Sequence, residues 1–214
     1  MKNKPTKQTA IKILDLLKHG LVRGLGNPEP GKMCVEAAVC YAMGLPHSDN
    51  PPCVAAAVRS FKITLNDSNW SSDTARAVGL QRIAIAQLGS ENIDQSLFVK
   101  ELTRLTIKKI LPLALRAAAK AHPQISHKEA LEKAAYNCKS IPTENAAAAY
   151  AARAAAAADA YAAAAAAAAY ASAAYAAAAD AARADEILTI AAEIGVEALK
   201  LCKSPGCKWL NLIK

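Results

Sequence analysis

The sequence predicts an all-α protein, a multi-helix bundle of about seven to nine helices around one long alanine-rich helix. Three observations carry this expectation. Between Ala146 and Ala184, thirty of thirty-nine residues are alanine, with no glycine or proline among them. Alanine is the best helix former because it loses no side-chain entropy on ordering. Elsewhere apolar residues recur at spacings of three and four, broken by Gly, Pro, Asn and Ser clusters. Only Phe61, Ile63 and Leu65 alternate with polar residues, and no second run is in view to pair with them, so that segment reads as a helix end and loop.

Taken in order, Thr9 to Lys18 interleaves Ile11, Ile13, Leu14, Leu16 and Leu17 with lysines, an amphipathic helix ending near Gly20. The loop Arg23 to Lys32 follows. A second helix spans Met33 to Met43 and stops at Gly44-Leu-Pro46. Pro52 suits the first position of a third helix reaching about Lys62. Ser71 or Ser72 caps a fourth that runs to about Leu88, with Gly89 as terminator and Trp70 as a hydrophobic staple. Residues 93–121 hold a long amphipathic pattern that Pro112 must kink or split. Ser126 and Glu129 form a capping-box pattern for a helix to Lys139, and Thr143 is placed to cap the alanine helix.

Within the alanine tract Tyr150, Tyr161, Ser172 and Arg183 recur every eleven residues, one nearly straight stripe on a helix. Unbroken, the tract would span ~58 Å, against a diameter of about 45 Å for a compact domain of this length. It therefore projects, bends or breaks, with Ser172 and Gly195 as the weak points. From Ile187 to Leu199 the surface is that of a core-facing helix, and the Pro205-Gly206 turn lays Trp209 and Leu210 back on the core. One domain over residues 1–214 is expected, with a sub-boundary near 140–145 before the alanine-rich helix.

Composition bounds the function. Arg153, Asp159, Asp180 and Arg183 interrupt the alanine tract, which argues against a membrane span. The basic N-terminus lacks the apolar core and cleavage site of a signal peptide, so a cytoplasmic protein with reduced thiols is the expectation. The net charge is +8, and all of the excess lies before residue 146: 20 Lys/Arg against 12 Asp/Glu there, 6 against 6 afterwards. Such a surface suits an acidic partner.

Several stretches could carry chemistry. Gly26-Asn-Pro-Glu-Pro-Gly-Lys32 formally matches a phosphate-binding loop, but Met33 stands where a Ser or Thr should be, and two prolines each delete a donor. A glycine-rich loop feeding a helix N-terminus, with Lys32 at its start, still suits an anion. Cys34, in the first turn of that helix, could have a depressed thiol pKa and be served by His47, the arrangement of a cysteine hydrolase. Glu36 is the lone carboxylate between Met33 and Met43, either solvated or a buried acceptor fixing a ligand or an arginine. Trp70, Arg76 and Arg82 beside the polar loop Asn66 to Asp73 make a recipe for stacking a base and gripping phosphate. Lys100, Arg104 and Lys108 form a stripe without aromatics, which disfavours nucleic acid as partner. Irregular Cys and His spacing argues against a metal, and no cofactor is expected.

The alanine tract, the Ile/Leu-rich helix after it and Ser204-Pro-Gly-Cys-Lys-Trp-Leu210 together resemble the alanine-rich helical immunity proteins of bacterial polymorphic-toxin loci, over residues 146–210. The resemblance implies an all-helical scaffold that neutralises a toxin by binding it. The combined expectation is a non-catalytic binding or sequestering protein in a bacterial or phage immunity setting. Its ligand would be anionic and nucleotide-like, with Lys32, Glu36, Trp70, Arg76 and Arg82 as contacts. The alternatives are an immunity-type inhibitor of a toxin or defence enzyme, and a cysteine hydrolase using Cys34 and His47. Methyl-coated helices pack closely, so a homodimer suits the sequence as well.

Overall fold

A computed structural model describes residues 4–121, 123–138 and 181–213. Every regular element among them is helical: α1 Lys7–Leu17, α2 Val35–Ala42, α3 Ala56–Asn66, α4 Asp73–Ala86, α5 Gln95–Lys109, α6 Leu111–Ala121, α7 Ile125–Asn137 and α8 Ala181–Leu201, with 3-10 turns at Ser90–Asn92 and Pro205–Leu212. The all-α expectation holds for these residues. The stretch from Ala146 to Asp180, which holds all of the eleven-residue stripe except Arg183, lies outside them, and so does the Thr143 cap. No described helix is long and apolar enough to cross a membrane.

Local sequence explains most boundaries. Thr6 and Thr9 cap α1 reciprocally, each side chain accepting from the other's backbone N–H. Ser72 caps α4 by accepting from Ala75 N–H at 3.0 Å, and Gly89 ends the following turn at φ +79°. Asp94 caps α5 through Leu97 N–H at 2.9 Å. Pro112 splits α5 from α6 rather than kinking one helix, sitting near the start of α6 where its missing donor is not needed.

Three expectations are corrected. α3 begins at Ala56, not Pro52, and runs on through Phe61, Ile63 and Leu65. Phe61 and Leu65, one helical turn apart, are both fully buried, so tertiary burial prevails over their alternating pattern. α7 starts at Ile125 after Gln124, with no side-chain cap, so Ser126 and Glu129 do not form the capping box. Gly195 is no break in α8. A Cβ there would meet Ile83 at 2.5 Å and Phe61 at 2.6 Å, so the glycine permits close packing instead.

The core lies between α8 and the α3–α4–α5 layer, with α1 and α2 closing the other side of α4. Phe61 and Phe98 meet edge to face at its centre, with ring centroids 6.3 Å apart. α6 and α7 pack on each other at the margin, and α7 buries only Ala135. The Pro205–Leu212 turn folds back on the end of α4, where Ser204 Oγ donates to the Ala86 carbonyl at 2.6 Å.

Candidate functional site

Glu36 is a buried acceptor. It is the second residue of α2, where a helix N-terminus favours a carboxylate, and its partner is Lys62 of α3 rather than an arginine. Lys62 Nζ lies 3.1 Å from Glu36 Oε1, and both side chains are completely buried. Gln87 Nε2 donates to Glu36 Oε2 at 3.2 Å. Burial pushes the Glu36 carboxyl up and the Lys62 ammonium down, each partly offset by the charge of the other. The chamber beside Glu36, lined also by Cys34, Asn66 and Asp67, measures only about 30 Å³. That is room for a water molecule, not a substrate.

The remaining expected contacts do not converge on Glu36 or on one another. Arg76 is 6% exposed. Its Nε donates to the Asn66 carbonyl and its Nη1 to the Leu21 carbonyl, both at 2.8 Å, and it pairs with Asp73. Trp70 is buried, with Nε1 donating to the Leu65 carbonyl at 2.9 Å and its ring against Gly79 rather than stapling the first turn of α4. Arg82 pairs with Glu193 of α8 at 2.7 Å. Lys32 is exposed and pairs with Glu29 at 2.9 Å inside its own loop. That loop closes on itself, with Asn27 N–H donating to the Lys32 carbonyl and Lys32 N–H to the Glu29 carbonyl. It turns those donors inward rather than to an anion.

The thiols also differ from expectation. Cys34 is the N-cap of α2, its sulfur accepting from Ala37 N–H at 3.4 Å. Burial dominates over the helix end, so its pKa is raised, not depressed. Burial takes Cys40 to about 12 and Cys53 to about 11. His47 Nε2 is engaged with the Gly26 carbonyl at 3.0 Å. No group of three His, Cys, Asp or Glu among the described residues is placed to hold a metal ion.

A different place supplies the combination that sequence reasoning sought near Trp70. Between the N-terminal Lys4, the Gly89–Ile93 turn and the tail after α8 lies an open cleft of about 420 Å³, lined by Trp209 and by Lys4, Lys203 and Lys208. Trp209 is half-buried, and the three lysines are exposed. Lys208 Nζ rests 4.6 Å from the centre of the Trp209 ring. Three lysines against Glu91 give the described lining a net charge of +2. None of the three is ion-paired with a carboxylate among the described residues, whereas Lys32, Arg76, Arg82, Arg104 and Lys109 all are.

The backbone beneath this cleft carries a second signal. α8 ends in a Schellman turn, with Ser204 N–H bonded to the Leu199 carbonyl and Lys203 N–H to the Lys200 carbonyl. The residue in the left-handed position of such a turn is usually glycine, but here it is Lys203 at φ +56°. The sequence signal was present in Lys203, Lys208 and Trp209 around the Pro-Gly turn, but it reads equally well as a tail packing on the core. A second cleft, about 460 Å³ between α1, α4 and Leu212–Ile213, is mainly apolar. No family model matches the chain, and neither does any curated protein or solved structure.

Proposed function

We propose that this chain is a non-catalytic binding protein that captures an anionic ligand in the Trp209 cleft, and that it serves as a sequestering protein in bacterial or phage immunity. One observation carries the reading: Lys4, Lys203 and Lys208 line one open cleft, and none of them is ion-paired with a carboxylate among the described residues. Three lysines lining one concavity raise the local concentration of anions and hold them once bound. The strained lysine at the Schellman position fits the same reading, because glycine would relieve the backbone but remove the charge. The immunity setting comes from the likeness of residues 146–210.

Titration calorimetry with pyrophosphate tests the capture. The expected result is saturable binding that weakens with salt and falls at least about tenfold in Lys203→Glu/Lys208→Glu. Absence of binding in the unsubstituted protein at low salt refutes it. If a toxin is then recovered on the immobilised protein, the protein-inhibitor reading takes its place.

A further inference from the structure

The ring of Trp209 faces the same cleft as the lysines, and this gives the ligand a second chemical property. We infer that the captured anion carries a planar heteroaromatic ring that stacks on Trp209, so that the ligand is of nucleoside-monophosphate class. The inference rests on the anion-capture reading above.

The Lys208 ammonium lies 4.6 Å from the indole centroid, so the ring face it covers is held by an exposed side chain that a ligand can displace. A lone exposed cation over an indole is held weakly, whereas a base stacked on an aromatic side chain gains more. A ring therefore displaces Lys208 from the indole, and the released ammonium joins Lys203 and Lys4 in holding the phosphate. Size agrees with this. A cleft of about 420 Å³ lies in the lower part of the ~300–1,000 Å³ range of small-molecule sites. That suits one base, one sugar and one phosphate better than a dinucleotide. Trp70 cannot substitute, because its ring is buried and its N–H is bonded to the Leu65 carbonyl.

The experiment compares AMP with ribose 5-phosphate, which offers the same phosphate without the ring, by calorimetry and by tryptophan fluorescence. AMP should bind about tenfold or more tighter and quench the half-buried Trp209 indole. In Trp209→Leu the ratio of the two affinities should fall to about one, and Trp209→Phe should restore part of it. Circular dichroism checks that both variants are folded. Equal affinity of AMP and ribose 5-phosphate in the unsubstituted protein overturns the ring inference while leaving anion capture standing. A ratio that survives Trp209→Leu overturns it as well. If neither compound binds, the capture reading fails and takes this inference with it. A 5′-phosphorylated oligonucleotide binding as well as AMP would place the ring and phosphate at a nucleic-acid end. Weaker binding would place them on a free nucleotide.

Discussion

Replacing Lys203 by glycine should stabilise the protein and weaken its hold on anions at once. Lys203 occupies the left-handed position of the turn ending α8, at φ +56°, where a side chain other than glycine costs roughly 1 kcal/mol. Its N–H bond to the Lys200 carbonyl belongs to the backbone and survives the substitution. Glycine loses more chain entropy on folding, which takes back a few tenths, so the net gain is about 0.5–1 kcal/mol. For a chain of this size that is a rise in Tm of about 1–4 °C. The same change removes one of three ammonium groups from the cleft. A unit charge about 4 Å from a phosphate is worth about 1 kcal/mol in water and more where solvent is partly excluded, so affinity for pyrophosphate should fall at least about fivefold. Differential scanning fluorimetry and calorimetry read the two quantities on one sample. Lys203→Asn separates them: asparagine tolerates the left-handed region, so it should gain less stability and lose the same affinity. A Lys203→Gly protein that melts lower, or that binds pyrophosphate unchanged, would refute the assignment of this strain to binding.

Other perturbations bear on the scaffold. Lys62→Met leaves the Glu36 carboxylate fully buried without its counter-charge and should cost about 3–5 kcal/mol in urea unfolding at neutral pH. Glu36→Gln/Lys62→Met removes both charges, keeps an acceptor for Gln87, and should recover most of that loss. Because burial raises the Glu36 pKa, the Lys62→Met variant should be most stable below the ordinary carboxyl value. It should lose stability as pH rises toward the folded value, and a flat profile would contradict the burial. Gly206→Ala would drive a Cβ to 2.2 Å from the Ile85 carbonyl oxygen. It should cost about 1–3 kcal/mol, loosen the tail from α4 and shift tryptophan emission to the red. Arg76→Lys cannot reach both the Leu21 and Asn66 carbonyls and should cost about 1–3 kcal/mol by thermal melt. Iodoacetamide at pH 8 should label Cys202, raised to about 11, and buried Cys34 only slowly in the native protein. Rapid single-site labelling of Cys34 would revive the hydrolase reading.

What was legible in the sequence follows from the range of the interactions involved. Ser72 as cap, the Pro112 break and the Pro205-Gly206 turn each depend on neighbours a few residues away, and each is found in place, whereas α4 ends at Ala86 with Gln87 as its C-cap and Gly89 leads into the Ser90–Asn92 turn. The reach of α3 was missed because Phe61, Ile63 and Leu65 alternate, and only the packing of Phe61 on Phe98 and against Gly195 decides for helix. Lys62 went unnoticed as the partner of Glu36, although it lies one turn from Val58 on one side and Asn66 on the other. All three are buried, and a lysine on a buried helical stripe is a signal that a carboxylate lies nearby. The fold depended on local chemistry and the site on long-range pairing, so the first was the easier to read.

The residues that resembled ligand contacts have a common task that accounts for their chemistry. The segment from Leu21 to Cys34 contains glycines at φ +66°, +67° and +79° and forms no helix, so its backbone polar groups need partners from elsewhere. Arg76 binds the Leu21 carbonyl, Asn66 binds the Val22 carbonyl and Val35 N–H, Asp67 binds Gly24 N–H, and His47 binds the Gly26 carbonyl. A guanidinium, an amide and a carboxylate are the groups that grip nucleotides, and here they grip the chain itself. Buried, directed donors that already hold carbonyls cannot be released to a ligand without orphaning those carbonyls, at about 1–3 kcal/mol each. Lys203 and Lys208 carry no such obligation, since no carboxylate or carbonyl among the described residues is shown holding their ammonium groups. Exposed cations around an open cleft are therefore better placed to meet a ligand than the more conspicuous polar cluster beneath the glycine loop.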